Sequence, residues 1–366
     1  MNRRINRRMI VAVTIALAAL SSLSGCTSAL PSLSPQPTHI SQPSSAQFTL
    51  RTIAGYLTPW DARSVGSLDE DVLTEVSPVW YQPTASGQVI FASRQAQQSQ
   101  ANVTAQAMAH SVALTPTISN YVDDQWSGDI IHTLITNATL RAAHIAAITQ
   151  LVQANPWAGI DIDYESLRAS DRQAYSVFIA DLADALHHVG RRLTLTVHAK
   201  TSEPGDWSGA RAQDWRALGA AADEVRVMAY DYSTDSSSAG PIAPAPWVKS
   251  VLALAVTEIP REKVILGLAT YGYDWASGQT TQDVQWADAE ALARSHKATI
   301  QWDVASQSPW FTYTDARGRR HTVWYTNARS LSATLALAMQ SRVGGVFLWR
   351  LGGEDPAIWP LLRQAQ

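Results

Sequence analysis

Short apolar runs alternate with amphipathic stretches along the chain from residue 48 onward. The runs are rich in Val, Ile, Leu, Tyr and Thr, which is typical of strands. They predict strands at residues 53–60, 76–81, 113–119, 159–164, 193–199, 224–230, 263–270 and 345–349. The clearest helix between them is predicted at residues 170–189, where apolar positions recur at helical spacing, with Ser170 capping its start and Gly190 its end.

Eight strands that alternate with helices favour an α/β fold of the (β/α)8 TIM barrel type. Residues 48–366 exceed the typical length of such a barrel by roughly 70 residues. Further short strands are predicted at residues 299–304, 310–314 and 321–325. We therefore expect a small α+β insertion at about residues 276–326, after strand seven. It would wall the C-terminal end of the barrel, where active sites of this fold lie.

The first 47 residues follow a different pattern. Four arginines precede a 12-residue apolar run at residues 9–20, which is shorter than the roughly 17–25 residues of a membrane-spanning helix. This pattern predicts a signal peptide over residues 1–25. Residues 26–47 are rich in Ser and Pro and almost uncharged, which predicts a flexible tether.

The run Leu23-Ser24-Gly25-Cys26 resembles a bacterial lipobox. The resemblance implies cleavage before Cys26 and a lipid anchor on its sulfur. The protein would then be exported and held on the bacterial cell membrane, facing the cell wall or the extracellular side. An ordinary signal peptide with an incidental cysteine is the alternative.

Composition narrows the class of partner. The chain has 28 basic and 31 acidic residues and a net charge of −3, which argues against a nucleic-acid partner. Cys26 is the single cysteine, so a disulfide scaffold or a multi-cysteine metal site is excluded. No nucleotide-binding, zinc-protease or serine-hydrolase motif is present, and we expect a monomer without cofactor or metal. Fourteen Trp against five Phe suits the binding of sugar rings.

The strand predicted at residues 159–164 carries an unusual row of acids. Side chains alternate along a strand, so Asp161, Asp163 and Glu165 share one face, which in a barrel points into the lumen. Burial and mutual repulsion favour protonation of at least one of them. A carboxylic acid that stays neutral near pH 7 is what a general acid requires. A solvated acidic edge strand is the alternative.

Residues 158–165 resemble the D-G-x-D-x-D-x-E signature of glycoside hydrolase family 18, the chitinase-like enzymes. Three further runs resemble family strands in the same order: residues 54–60 the first strand, residues 227–232 the M-x-Y-D strand, and residues 344–349 the last. Residues 350–356 and the insertion resemble the branch with bacterial spore-cortex and peptidoglycan N-acetylglucosaminidases. The first signature Asp is Ala158 here, and we expect its loss to alter the proton network below the site.

The resemblance implies roles for the acidic residues. Glu165 would be the general acid and then the base. The family is an exception to the two-carboxylate scheme, because the sugar's own 2-acetamido group attacks the anomeric carbon. Asp163 would hold the acetamido N–H, and Asp161 would share a proton with Asp163. Tyr230 would donate to the acetamido oxygen, and Asp231 would help to position the sugar.

Several aromatic and basic residues have two interpretations. Trp349 would pack against the sugar ring at the cleaved position, or it is core. Tyr56, Trp60 and Tyr273 would line the groove, or they are core or rim packing. His198 and Lys200 share one face of strand five and either touch substrate or pair with lumen carboxylates.

The sequence therefore predicts an exported, lipid-anchored glycoside hydrolase that cleaves β-1,4 bonds next to N-acetylglucosamine by substrate-assisted, retaining hydrolysis. Its substrate would be an N-acetylglucosamine-containing polysaccharide, either peptidoglycan or a chitin-like polymer, and endo or exo action stays open. A catalytically weak or inactive chitinase-like sugar-binding lipoprotein is the alternative. The presence of Glu165 favours the enzyme.

Overall fold

The computed structural model describes residues 48–61, 63, 68 and 71–366. The predicted signal peptide, the tether and Cys26 lie outside the described residues. The strands are β1 (Thr52–Leu57), β2 (Glu75–Pro83), β3 (Val89–Phe91), β4 (Ala113–Leu114), β5 (Thr117–Ser119), β6 (Tyr121–Val122), β7 (Gln125–Trp126), β8 (Gly159–Asp163), β9 (Arg192–His198), β10 (Glu224–Met228), β11 (Val264–Ala269), β12 (Tyr271–Ala276), β13 (Gln282–Gln285), β14 (Gln301–Asp303), β15 (Ser308–Thr314), β16 (Arg320–Trp324) and β17 (Gly345–Trp349).

Helices separate most of these strands. In chain order they are α1 (Arg94–Ala109), α2 (Gly128–Thr136), α3 (Ala138–Gln153), α4 (Arg172–His188), α5 (Ser208–Ala212), α6 (Trp215–Ala221), α7 (Ala245–Glu258), α8 (Trp286–Ser295), α9 (Ala328–Ser341) and α10 (Ile358–Ala365). Within the described ranges, no helix is both long and apolar enough to cross a bilayer.

Parallel pairing closes the main sheet into a barrel. Its strands follow the order β1, β17, β11, β10, β9, β8, β5 and β2, and β2 pairs again with β1. The predicted (β/α)8 TIM barrel is thereby confirmed. The third predicted strand, residues 113–119, is divided into β4 and β5, because Pro116 between them has no N–H to donate to the ladder.

Helix α4 begins later than the pattern predicted. Residues Ala169–Asp171 form a 3₁₀ turn, and the α-helix starts only at Arg172. The prediction that Ser170 caps the helix is therefore wrong, because Ser170 lies inside that turn. Gly190 does follow the last helical turn, with φ of 68° and its N–H donating to the carbonyl of His187 at 3.0 Å. Glycine adopts this left-handed conformation without strain.

The α+β insertion after the seventh barrel strand is confirmed. Its antiparallel sheet has the order β13, β12, β16, β15, β14, and it packs on α8 through a small core of its own around Phe311 and Val323. The sheet begins at Tyr271, before the predicted boundary at residue 276, because only Thr270 separates β12 from β11.

Strand β8 shows how alternation divides the barrel into a lumen and a helix-facing side. Ile160, Ile162 and Tyr164 are fully buried and belong to the core cluster that includes helix residues such as Phe178 of α4. The Tyr164 hydroxyl hydrogen-bonds Nε2 of His144 on α3 at 2.7 Å. The opposite face of β8 therefore carries its acidic residues into the lumen.

Candidate active site

Side chains from neighbouring strands form layers in the lumen. In the register of the sheet, Asp161 of β8 lies beside Thr194 of β9, and Arg226 of β10 lies beside Thr196. One layer higher, Met228 lies beside His198. The floor layer of the barrel is therefore polar and hydrogen-bonded, and the layer above it approaches the mouth.

Asp161 is the fully buried acid of the floor. Its Oδ2 accepts hydrogen bonds from Tyr56 and Thr117, both at 3.0 Å, and its Oδ1 accepts one from Thr194 at 2.8 Å. Nη1 of Arg226 is 3.7 Å from Oδ1. Burial raises the pKa of Asp161 above its ordinary value, and the guanidinium and these hydroxyl donors offset part of that rise.

Asp163 is the middle acid of the row and has fewer hydrogen-bond partners than Asp161. It is 5% exposed, and its buried Oδ1 has no hydrogen-bond partner among the described residues. Burial, followed by the neighbouring carboxylates of Glu165 and Asp161, raises its pKa well above the ordinary value. Asp163 therefore favours the protonated form when no ligand is bound.

Glu165 ends the acidic row at the mouth. Asn120, directly after β5, holds its backbone on both sides, donating to its carbonyl at 2.9 Å and accepting from its N–H at 2.8 Å. Burial, followed by the charge of Asp231, raises the pKa of Glu165 to about 8. Glu165 is therefore a carboxylic acid at neutral pH, as a general acid must be.

His198 lies beside Glu165, with Nε2 3.9 Å from Oε2. Burial, and then the charge of Lys200, lowers the pKa of His198 to about 3, so its ring is neutral. Lys200 itself turns away, donating to the Gln213 carbonyl at 2.6 Å and pairing with Glu203 at 2.7 Å. Of the two basic residues predicted on this strand face, only His198 reaches the site.

A cavity of about 420 Å³ opens above these groups. It is lined by Glu165, His198, Ala199, Trp207, Met228, Tyr230, Asp231, Thr234 and Trp247. Trp207 packs against the ring of His198, with centroids 4.4 Å apart. The cavity thus combines an acid, hydrogen-bonding groups and two indole rings, a combination suited to a sugar.

Tyr230 and Asp231 reach this cavity from the end of β10. Gly267 makes room for Tyr230, because a Cβ there would lie 2.7 Å from its ring. Asp231 has φ of 55°, a conformation uncommon outside glycine and found at functional sites. Its Oδ1 accepts hydrogen bonds from Tyr271 and, at 3.2 Å, from Tyr273. The insertion thereby orients this carboxylate.

The aromatic residues predicted to line the groove divide into several environments. Tyr56 is 1% exposed and bonded to Asp161, so it supports the floor and does not line the groove. Trp349 is half-buried, with its ring 5.3 Å from that of Tyr56. Trp60 is 63% exposed beyond the end of β1. Tyr273 donates its hydroxyl hydrogen bond to Asp231. None of these four lines the cavity.

Sequence reasoning did not single out several residues of the site, among them Asn120, Trp247 and Arg226. Asn120 follows the third predicted strand and Trp247 lies in α7, and neither belongs to a motif. Arg226 could have been identified from the sequence, because a charged residue on the lumen face of a predicted strand is unusual. In the described part of the chain, His, Cys, Asp and Glu side chains form no group of three or more that could hold a metal ion.

Comparison with known proteins gives consistent matches. The profile of glycosyl hydrolases family 18 matches residues 52–354. The cortical fragment-lytic enzyme of Bacillus subtilis is 32% identical over 252 residues, which are 67% of this chain and 58% of that enzyme. The chain thus spans less than two thirds of the length of that relative.

Solved structures show the same relationship. The chitinase of Chromobacterium violaceum superposes with a TM-score of 0.81 at 29% identity, over 86% of this chain and 98% of that one. The spore cortex-lytic enzyme SleL of Bacillus cereus superposes with a TM-score of 0.79 at 26% identity, over 86% of this chain and 74% of that one.

Proposed function

The chain belongs to glycosyl hydrolases family 18, and from this membership we propose that it is a glycoside hydrolase. From the lipobox-like run that ends at Cys26 we propose that it is exported and lipid-anchored. It would cleave β-1,4 bonds next to N-acetylglucosamine in peptidoglycan or a chitin-like polymer. The observation that carries the proposal is the protonated Glu165 at the wall of a cavity of about 420 Å³. A neutral acid held beside a sugar-sized cavity can protonate a glycosidic oxygen.

The proposed reaction uses the substrate's own acetamido group as nucleophile. Glu165 protonates the leaving oxygen while the acetamido carbonyl oxygen attacks the anomeric carbon, so the glycosidic bond breaks and an oxazolinium ring forms. Glu165, now a carboxylate, then takes a proton from the water that opens this ring. The net configuration at the anomeric carbon is retained, and no ester to the protein forms.

Asp163 and Tyr230 are proposed to hold the acetamido group. The unpartnered Oδ1 of Asp163 would accept its N–H once the carboxyl passes its proton to Asp161, and the resulting negative charge on Asp163 would stabilise the oxazolinium. Tyr230 lines the cavity and would donate to the acetamido oxygen. Asp231 would position the sugar. Trp349 is half-buried and outside the residues that line this cavity, so its packing on the ring at the cleaved position stays a prediction from the resemblance.

The polymer class is supported by the names of the relatives. One is called a cortical fragment-lytic enzyme and another a chitinase. The indole rings of Trp207 and Trp247 in the cavity wall suit a chain of sugar rings. These observations fit peptidoglycan and chitin equally.

A release assay tests this proposal. Purified protein is incubated with peptidoglycan, with chitin oligosaccharides and with the same oligosaccharides after de-N-acetylation, and the products are identified by mass spectrometry. We expect products from an acetylated polymer only, and competitive inhibition by a thiazoline analogue of the oxazolinium. A covalent glycosyl ester on any carboxylate would refute the mechanism. Binding without release would indicate the sugar-binding lipoprotein instead.

The anchor has its own test. Cys26→Ser removes the proposed lipid acceptor, so we expect this variant to lose labelled lipid and to leave the membrane fraction of growing bacteria. Retention of both would contradict the anchor and leave the enzymatic proposal untouched. Light scattering of the purified protein checks the proposed monomer.

A further inference from the structure

A guanidinium lies wholly inside the barrel, directly below the acids of the candidate site. Arg226 is 0% exposed and lies on the lumen face of β10, which also carries Glu224 and Met228. Burial of a charge is costly unless the charge is paired and hydrogen-bonded. The role of Arg226 can therefore be inferred from the groups with which it pairs.

Arg226 connects a carboxylate outside the acidic row to one inside it. Its Nη2 forms an ion pair with Glu75 of β2. Its Nη1 donates to Ser77 at 2.6 Å and to the Tyr56 hydroxyl at 3.2 Å, and lies 3.7 Å from Asp161. Since Tyr56 in turn donates to Asp161, the cation acts on this carboxylate both directly and through the phenol.

The next acid on the strand has no comparable support. Asp163 Oδ1 has no hydrogen-bond partner among the described residues, whereas both oxygens of Asp161 accept hydroxyl donors. Burial raises the pKa of both acids, and only for Asp161 do a cation and several hydrogen bonds oppose that rise. A proton shared by the pair is therefore more stable on Asp163.

The first position of the signature contributes no carboxyl group to this network. Ala158 directly precedes β8, and its effect on the proton network stays a prediction. The charge below the acids comes from β10.

We propose that Arg226 is a positioning residue that holds Asp161 as the anion before substrate binds, so that the shared proton rests on Asp163, next to Glu165, until the acetamido group is bound. The kinetic part of this inference rests on the proposed function, and the protonation order can be measured without it. Removal of the cation would let Asp161 take up a proton at higher pH, and the pair would then lose its single negative charge sooner on acidification.

Other groups also face this network. The titratable and charged side chains around it are Tyr56 of β1, Glu75 of β2, Asp161 and Asp163 of β8, Glu165 after β8, Tyr175 of α4, Arg192 of β9, Glu224 of β10 and Tyr230 after β10. Arg192 pairs with Glu75 at 3.2 Å and with Glu224 at 3.1 Å, and its side chain is 39% exposed. It is therefore the matched control cation.

The kinetic test compares Arg226→Met combined with Glu75→Gln, Arg226→Lys alone, and the control Arg192→Met. The double variant removes the buried cation together with its main counterion, which avoids an orphaned charge. We expect the acidic limb of its kcat/KM profile to move up by at least about one pH unit, since an opposite charge at this distance shifts a carboxyl pKa by about 1–3 units. Arg226→Lys keeps a cation at this position, so its acidic limb should move less than that of the double variant. Arg192→Met should leave the limb in place.

If Arg226 had a purely structural role, its variants would have a lower melting temperature and a smaller active fraction, and the acidic limb of the kcat/KM profile would not move. An unmoved limb in the folded double variant overturns the inference. If that variant does not fold, the titration order in the unsubstituted protein decides, and Asp161 titrating at the same pH as Asp163 or above it overturns the inference. KM should change little in either variant.

Carboxyl 13C NMR of the labelled protein separates this inference from the proposed function. In the unsubstituted protein we expect Asp161 to titrate at lower pH than Asp163, and the order to converge or reverse in the double variant, with Arg226→Lys intermediate. The same order and spacing in all three proteins overturn the inference, whatever the activity. Absence of turnover on every polymer, with the expected titrations, would overturn the proposed function alone.

Discussion

The floor and the mouth of the barrel treat the same kind of side chain in opposite ways. At the floor, Asp161 accepts hydrogen bonds on both oxygens and lies 3.7 Å from a guanidinium. At the mouth, Asp163 Oδ1 and His198 Nε2 have no hydrogen-bond partner among the described residues, and Glu165 keeps its proton up to about pH 8.

This difference shows what burial alone does to a carboxyl group. Burial disfavours the charged form of both aspartates, and only donors and a cation can offset that cost. The floor provides them and is thereby a fixed support. In the described part of the chain, the mouth has no such donors or cation next to Asp163, so its polar atoms are available to a ligand. The following experiments alter one side of this contrast at a time.

The largest effect is expected at the mouth, from Glu165→Gln. The amide keeps the size of the side chain and cannot donate the acid proton, so kcat should fall by roughly 10²–10⁴-fold while sugar binding persists. Steady-state kinetics and calorimetric binding check this. Glu258→Gln, on the outer helix α7, is the control and should leave kcat unchanged. Activity of the Glu165 variant within threefold of the parent would contradict the assignment.

Asp163→Asn should have the next largest effect. It removes the negative charge proposed to stabilise the oxazolinium, and loss of one such stabilising group costs about 10²–10³-fold in kcat, with little change in KM. Asp274→Asn in the insertion is a matched control, because both aspartates are 5% exposed. A loss of kcat in the control as large as in Asp163→Asn would show that burial, and not the site, explains the result.

The pH profile probes the raised pKa of Glu165. The acid is competent only while protonated, so kcat/KM should fall above about pH 8, by about tenfold per pH unit. The residual activity of Glu165→Gln should lack this basic limb. A limb that persists in the variant would assign the ionisation to another group.

The smallest effect is expected from Asn120→Ala, which leaves the mouth chemically intact. It removes the two hydrogen bonds to the Glu165 backbone, and each buried group left unpaired costs about 1–3 kcal/mol of stability. We expect a lower melting temperature and about a tenfold loss in kcat, equivalent to about 1.4 kcal/mol. Asn120→Asp keeps the acceptor and should lose less, and equal losses in both variants would count against the proposed clamp.

Much of the fold was predictable because it follows local periodicity. The order of strands and helices, the insertion after strand seven and the lumen side of the acidic row all come from patterns within a few residues. Tyr56 shows the limit of this reasoning. Its place at a strand end is compatible with groove or core, and only its bond to Asp161, 105 positions away, places it in the floor.

The sequence by itself determined which residues lie on the lumen face, because alternation along a strand is a local property. Only the tertiary structure decided which of them are charged. Closing the barrel brings Arg226 to Glu75, 151 positions apart, and Asn120 to Glu165, 45 positions apart. The protonation of each acid depends on such partners and on burial, and both are set by the packing of elements that are distant in sequence.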